Sequence, residues 1–177
     1  MAVTAWTLPA VSGAVGTGNS WNDHTLIKVK NDVGCEAVVD ATSTTYLISQ
    51  GYGWTSLIPA GASILGIEVR IRHQGTGASV KDSVIKLQTN GTLRGDSKAS
   101  GTAWANGSWE DITYGGAADL WGNAATDLYA WIMGGATFGA AVRARWDAVG
   151  AGAALVDSHE MRVYYAPPAH YHRGQQQ

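Results

Sequence analysis

Along residues 63–72 apolar and polar positions alternate with a period of two. Leu65, Ile67, Val69 and Ile71 fall on one side, and Glu68, Arg70 and Arg72 on the other. A strand in a sheet with one dry and one wet face requires this pattern. The Pro59-Ala-Gly61 turn feeds it and the glycine-bearing stretch His73-Gln-Gly-Thr-Gly77 closes it. The same alternation returns at 80–89, with Ile85 and Leu87 inward, and at 109–114. It returns again at 138–146, where Phe138, Ala140, Val142, Ala144 and Trp146 oppose Arg143 and Arg145, and near 153–165, with Met161, Val163 and Tyr165 inward. Asn90-Gly91 predicts a hairpin and a short return strand near Leu93. Tyr46, Ile48, Tyr52 and Trp54 are assigned to one face with Ser49 opposite, and glycines 51 and 53 predict a bend. Shorter strands are expected at 25–30 and 36–40, and helix only within 117–132, as single turns at 117–120 and 125–128.

Many short strands divided by turn signals indicate an all-β fold: a two-sheet antiparallel β-sandwich of jelly-roll type. Residues 1–22 do not alternate and read as an extended N-terminal arm. Residues 23–166 read as the sandwich, and 167–177, which opens with Pro167-Pro168, as a polar tail. Composition agrees. The 177 residues suit one domain, and 23 glycines with eight tryptophans and one phenylalanine suit tight turns around an indole-filled core. A formal charge of −2 supplies no basic field for a phosphate backbone, so no nucleic-acid partner is expected. The uncharged stretch 128–142 contains three glycines and is too short to cross a bilayer, so no membrane partner is expected. The start of the chain lacks the basic and apolar regions of a signal peptide, which implies synthesis in a cytoplasm. Cys35, alone, cannot form an internal disulfide and is expected to be a buried thiol.

Candidate chemistry is sparse, and no cofactor or metal is expected. Asp157 and His159, two apart on a strand, would share a face, with Ser158 turned away from them, so no nucleophile completes a catalytic set. They read as a satisfied pair at the sandwich edge. His24 and His73 read as surface residues beside turns, and His170 and His172 as part of a solvated tail. Asp119 and Asp127 read as helix N-caps. Trp54 and Trp146 fall on inward faces. Trp104 and Trp109 flank the polar loop 95–108, where exposed indoles would stack on sugar rings. Trp6, Leu8 and Trp21 lie in the arm and are candidates for burial in a partner, each indole contributing about 2–3 kcal/mol.

One resemblance gathers these pieces. Tyr46-Leu47, Gly51-Tyr-Gly-Trp54, Ile58-Pro-Ala-Gly-Ala62 and Ile64-Leu-Gly-Ile-Glu-Val69 follow one another along the chain. They continue as Val80-Lys-Asp82, Val84-Ile-Lys-Leu87, Tyr114-Gly-Gly116, Asp119-Leu-Trp-Gly122, Phe138-Gly139, Val142-Arg143 and Met161-Arg-Val-Tyr-Tyr165. In this order they resemble a β-sandwich domain of structural proteins of tailed bacteriophages, over about residues 44–165. The resemblance implies a non-enzymatic virion component that decorates a capsid or belongs to a tail or fibre. Its implied partners are major capsid or tail proteins and copies of itself. One departure stands out: where that domain leads one to expect another aromatic, this chain has Asn123-Ala-Ala125. The alternative expectation is a carbohydrate-binding module that holds a host-surface glycan through Trp104 and Trp109.

Overall fold

The alternating run becomes part of the longest ladder between described strands, that of Ser63–Thr76 with Gly152–Ala166. In the computed structural model, which describes residues 1–77 and 79–169, β5 (Ser63–Thr76) lies between β10 (Gly152–Ala166) and β8 (Glu110–Gly116). The far edge of β10 is shared by β3 (Cys35–Val39) at one end and β1 (Ala2–Val3) at the other. The second sheet has the order β2 (Val11–Val15), β4 (Tyr46–Gln50), β9 (Phe138–Trp146), β6 (Val80–Thr89), β7 (Thr92–Arg94). All pairings between these strands are antiparallel. The β3-β10-β5-β8 order facing β4-β9-β6-β7 is the double Greek key of a jelly roll. The all-β sandwich read from the alternation is therefore the fold, with β1 and β2 added at its edges.

The core follows from that arrangement. Ile64, Ile67, Val69 and Ile71 of one sheet and Leu47, Ile85, Leu87, Phe138 and Val142 of the other are fully buried between the layers. Asn90 and Gly91 take positive φ (50° and 78°), the backbone that joins β6 to β7 by a two-residue hairpin. One short helix, α1 (Ala125–Met133), buries Leu128 and Ile132. Cys35 is a buried thiol, as expected, its pKa pushed up to about 12 chiefly by burial.

Several local expectations need correcting. The strand expected at 25–30 is a 3-10 turn over His24–Ile27. Residues 117–124 form turns, so no helical turn stands at 117–120, while the one expected at 125–128 is the start of the longer α1. Asp119 accepts the N–H of Trp121 at 2.8 Å and caps a turn, while Asp127 sits in the first turn of α1 without capping it. In β4 it is Leu47 and Ser49 that face the core, because Gly51 adopts a positive φ and bends the chain between Ile48 and Tyr52. A bulge at Tyr164/Tyr165 likewise turns Ile64, in place of Leu65, inward.

The N-terminal 22 residues are extended, but they do not leave the sandwich. Ala2–Val3 pairs with Tyr164–Tyr165, Thr7 bridges to Met161, and Val11–Val15 pairs with β4. Trp21, expected to seek a partner, is core: it is 5% exposed and its indole N–H donates to Thr45 O at 2.9 Å. Trp6 is half-buried between the guanidinium groups of Arg70 (4.3 Å) and Arg162 (4.4 Å) on the outer face of the first sheet. Leu8 is also partly buried. The indoles that an arm would have carried to another subunit are spent on the parent domain. Residues 170–177, with His170 and His172, lie outside the described residues.

Candidate functional site

The loop 95–108 does not stand off the domain. It crosses the open side of the sandwich as a strap held by backbone bonds from Lys98 N–H to Ile85 O, Trp104 N–H to Val80 O and Gly75 N–H to Ala105 O. Trp104, expected to display its ring to sugars, is turned inward and only 3% exposed. It stacks on His73 (centroids 4.2 Å apart) and donates its indole N–H to Asp82 at 2.8 Å. Beneath the strap is a cavity of about 180 Å³ lined by His73, Asp82, Ser100, Thr102, Ala103, Trp104, Glu110, Ile112 and Tyr114.

Each wall has a sequence origin. The parity of Ile67, Val69 and Ile71 carries on to His73, which is 1% exposed and not at the surface as its turn-side position suggested. The signal was there: His73 has the same parity as three inward aliphatics. Asp82 faces inward because a bulge between Asp82 and Val84 switches the inward set of β6 from Val80 and Asp82 to Ile85 and Leu87. Glu110, Ile112 and Tyr114 alternate along β8, so one side of that strand lines the cavity.

Hydrogen bonding explains how a buried carboxylate persists here. Asp82 accepts from Trp104 Nε1, from the backbone N–H of Ser100 at 2.7 Å and from the Ser100 hydroxyl at 3.4 Å. Glu110 Oε1 accepts the Ala105 N–H at 2.6 Å and lies 3.6 Å from His73 Nδ1. Burial, and after it the nearby Asp82, pushes the Tyr114 phenol up. Burial lowers the His73 pKa to about 4 against the pull of Asp82 and Asp111, so the imidazole is neutral near pH 7. Among the described residues neither of its nitrogens has a hydrogen-bond partner.

The Asp157–His159 pair is not assembled as expected. A bulge between Val156 and Ser158 sends the two side chains to different places. Asp157 accepts the N–H groups of Asn31 (3.1 Å) and Val33 (3.3 Å), under a loop on the outer face. His159 enters the core and meets Ser49 Oγ at 3.1 Å, which also accepts the Tyr52 hydroxyl at 2.7 Å. Its pKa falls to about 3, through burial first and the charge of His73 second. Among the described residues no three His, Cys, Asp or Glu side chains converge in a metal-binding group.

These two buried histidines give the protein an acid-sensitive side. Both folded pKa values lie below the ordinary 6.5, so between that value and about 4 the unfolded chain binds more protons than the folded one. Their stabilisation is complete above pH 6.5 and is lost as pH falls, each with a slope approaching about 1.4 kcal/mol per pH unit. Urea midpoints should drop clearly from pH 7 to pH 5, and the drop should shrink in His159→Gln. Equal midpoints at the two pH values would rule this out.

Trp109, the other expected sugar platform, remains half-buried on the opposite side of the strap, with the Arg72 guanidinium 6.0 Å from its ring centre. The two indoles do not form one surface. No protein-family model and no curated protein matches the sequence. Among solved structures, the CBM22-1 xylan-binding domain from Paenibacillus barcinonensis Xyn10C is similar. Its TM-score is 0.45 at 10% identity, over 91% of this chain and 86% of that one.

Proposed function

We propose that this protein is a non-enzymatic jelly-roll component of a bacteriophage virion, made in the host cytoplasm and held among capsid or tail proteins and copies of itself. The observation that carries this reading is the ordered resemblance over residues 44–165, whose pieces fall on the turns and core contacts that define the sandwich. Gly51 and Gly53 form the bend after β4, and the Pro59-Ala-Gly61 turn starts β5. The Asp119-Leu-Trp-Gly122 corner plugs Trp121 against β5, its indole N–H on Ile67 O at 3.0 Å. Asn123, at the departure from that resemblance, donates to Leu120 O and Trp121 O and so holds the same corner by hydrogen bonds. The separation of Asp157 from His159 also favours binding over catalysis.

With Trp21 in the core, docking must use other surface. Val29, Val33 and Val38 are 51%, 54% and 55% exposed along one short stretch that ends in the edge strand β3. Apolar side chains left in water on such a stretch suit a neighbouring subunit. Mass spectrometry of purified particles should find the chain at many copies per particle. A Val33→Asp/Val38→Asp double variant should fold normally yet enter particles at least ten-fold less. Absence of the wild-type chain from particles would sink the proposal. A glycan-binding reading keeps only Trp109 of its two rings, and no observation favours it over assembly.

A further inference from the structure

The cavity beneath the strap carries a second inference, independent of where the chain is assembled. Its chemistry is one-sided. Asp82 lies at its base and the half-exposed Glu110 is the other carboxylate in its wall. Asp82 accepts from Trp104 and Ser100 and lies beside the Tyr114 phenol, and among the described residues Glu110 Oε2 has no bond. His73, 1% exposed and neutral, adds an acceptor nitrogen with no hydrogen-bond partner among the described residues. Among the described residues no lysine or arginine lines the space. The rest of the wall is the Ser100 and Thr102 side chains, the Tyr114 ring with its phenol beside Asp82, and the carbon surface of Ala103, Trp104 and Ile112. A ligand that satisfies this set must bring hydrogen-bond donors, positive charge and a slim apolar stem, and about 180 Å³ restricts it to a small group.

The way in is also informative. Glu110, Ile112 and Tyr114 belong to β8, which ends its sheet. Among the described residues no strand, bridge or loop backbone pairs with its far edge. Two other exposed stretches are covered: the strap runs along β6, and Asn22 exchanges backbone and side-chain bonds with Glu36 on β3. An open edge beside a side-chain pocket is the arrangement by which sheets accept an extended segment, the backbone giving affinity and the pocket specificity.

We propose that the cavity is a binding site for an alkylammonium group, presented as the lysine side chain of an extended partner segment added to the edge of β8. The methylenes run along Ile112 and the Trp104 edge, and the ammonium donates to Glu110, Asp82 and the free nitrogen of His73.

The test is a titration followed by ¹H–¹⁵N NMR at pH 7, read on the Trp104 indole N–H. Three probes are compared: butylammonium, butanol, and an acetylated, amidated Thr-Val-Lys-Val-Thr peptide. The peptide should shift that signal saturably and bind at least ten-fold tighter than butylammonium, and butanol should leave it unmoved. Glu110→Gln should weaken the peptide at least ten-fold, and Glu110→Lys, which supplies its own ammonium, should abolish binding while keeping a dispersed spectrum. Equal affinity for peptide and free amine would overturn the strand addition and leave a small-amine pocket. No saturable shift with either amine, or full affinity in Glu110→Lys, would overturn the site itself.

Discussion

Trp121→Ala should cost about 3–5 kcal/mol of unfolding free energy, the range for removing a fully buried large aromatic. The indole does more than fill volume. Its N–H satisfies Ile67 O in the middle of the core, and its backbone holds a positive φ of 57° in the corner after β8. That backbone is fixed by Asp119, by Asn123, and by Gly95, where an added Cβ would stand 1.9 Å from Trp121 O. Trp121→Phe should lose less than Ala, since it keeps most of the apolar area but leaves Ile67 O without its donor, a cost of about 1–3 kcal/mol. Urea unfolding followed by circular dichroism measures both variants. A loss below about 1 kcal/mol for the alanine would show that the corner collapses around the space, contrary to this account.

Deleting residues 1–22 should abolish cooperative unfolding altogether. The deletion strips the outer partner from β4, removes β1 and the Thr7 bridge from β10, and takes Trp21 out of the core. It also removes Asn22, which covers the edge of β3 through Glu36. An arm whose business was only to dock would leave a folded sandwich behind. By contrast Trp6→Ala, which breaks two cation–π contacts on an outer face, should cost only about 1–2 kcal/mol. A truncated protein with a wild-type urea midpoint would contradict the placement of these residues.

The sequence hides the placement of residues 1–22 for a physical reason. β1 is two residues long, and β2 reads Val-Ser-Gly-Ala-Val, too short and too small for a visible alternation. Such strands are held by the edge they join and not by their own pattern. The candidate site was half legible. His73 continues an inward parity that began at Ile67, and the polar loop 95–108 does form one wall of the cavity, but with the Trp104 ring turned inward and not displayed to solvent. The direction in which Trp104 points depends on Asp82, and Asp82 faces inward only because of a bulge one residue beyond it. A bulge shifts parity without leaving a reliable mark in the residues themselves. The same device separates Asp157 from His159, which strict alternation had placed together.

What the sequence determined by itself was the class of fold, its strand runs and its principal hairpin. Period-two alternation, Asn90-Gly91 and the glycine turns act over a few residues, and their physics is local. The tertiary structure alone decided which short segments close the edges, where the bulges fall and which polar side chains meet under the strap. Those outcomes rest on contacts between residues far apart in the chain, such as Trp21 with Thr45 and His159 with Ser49, where packing and hydrogen-bond satisfaction outweigh local preference.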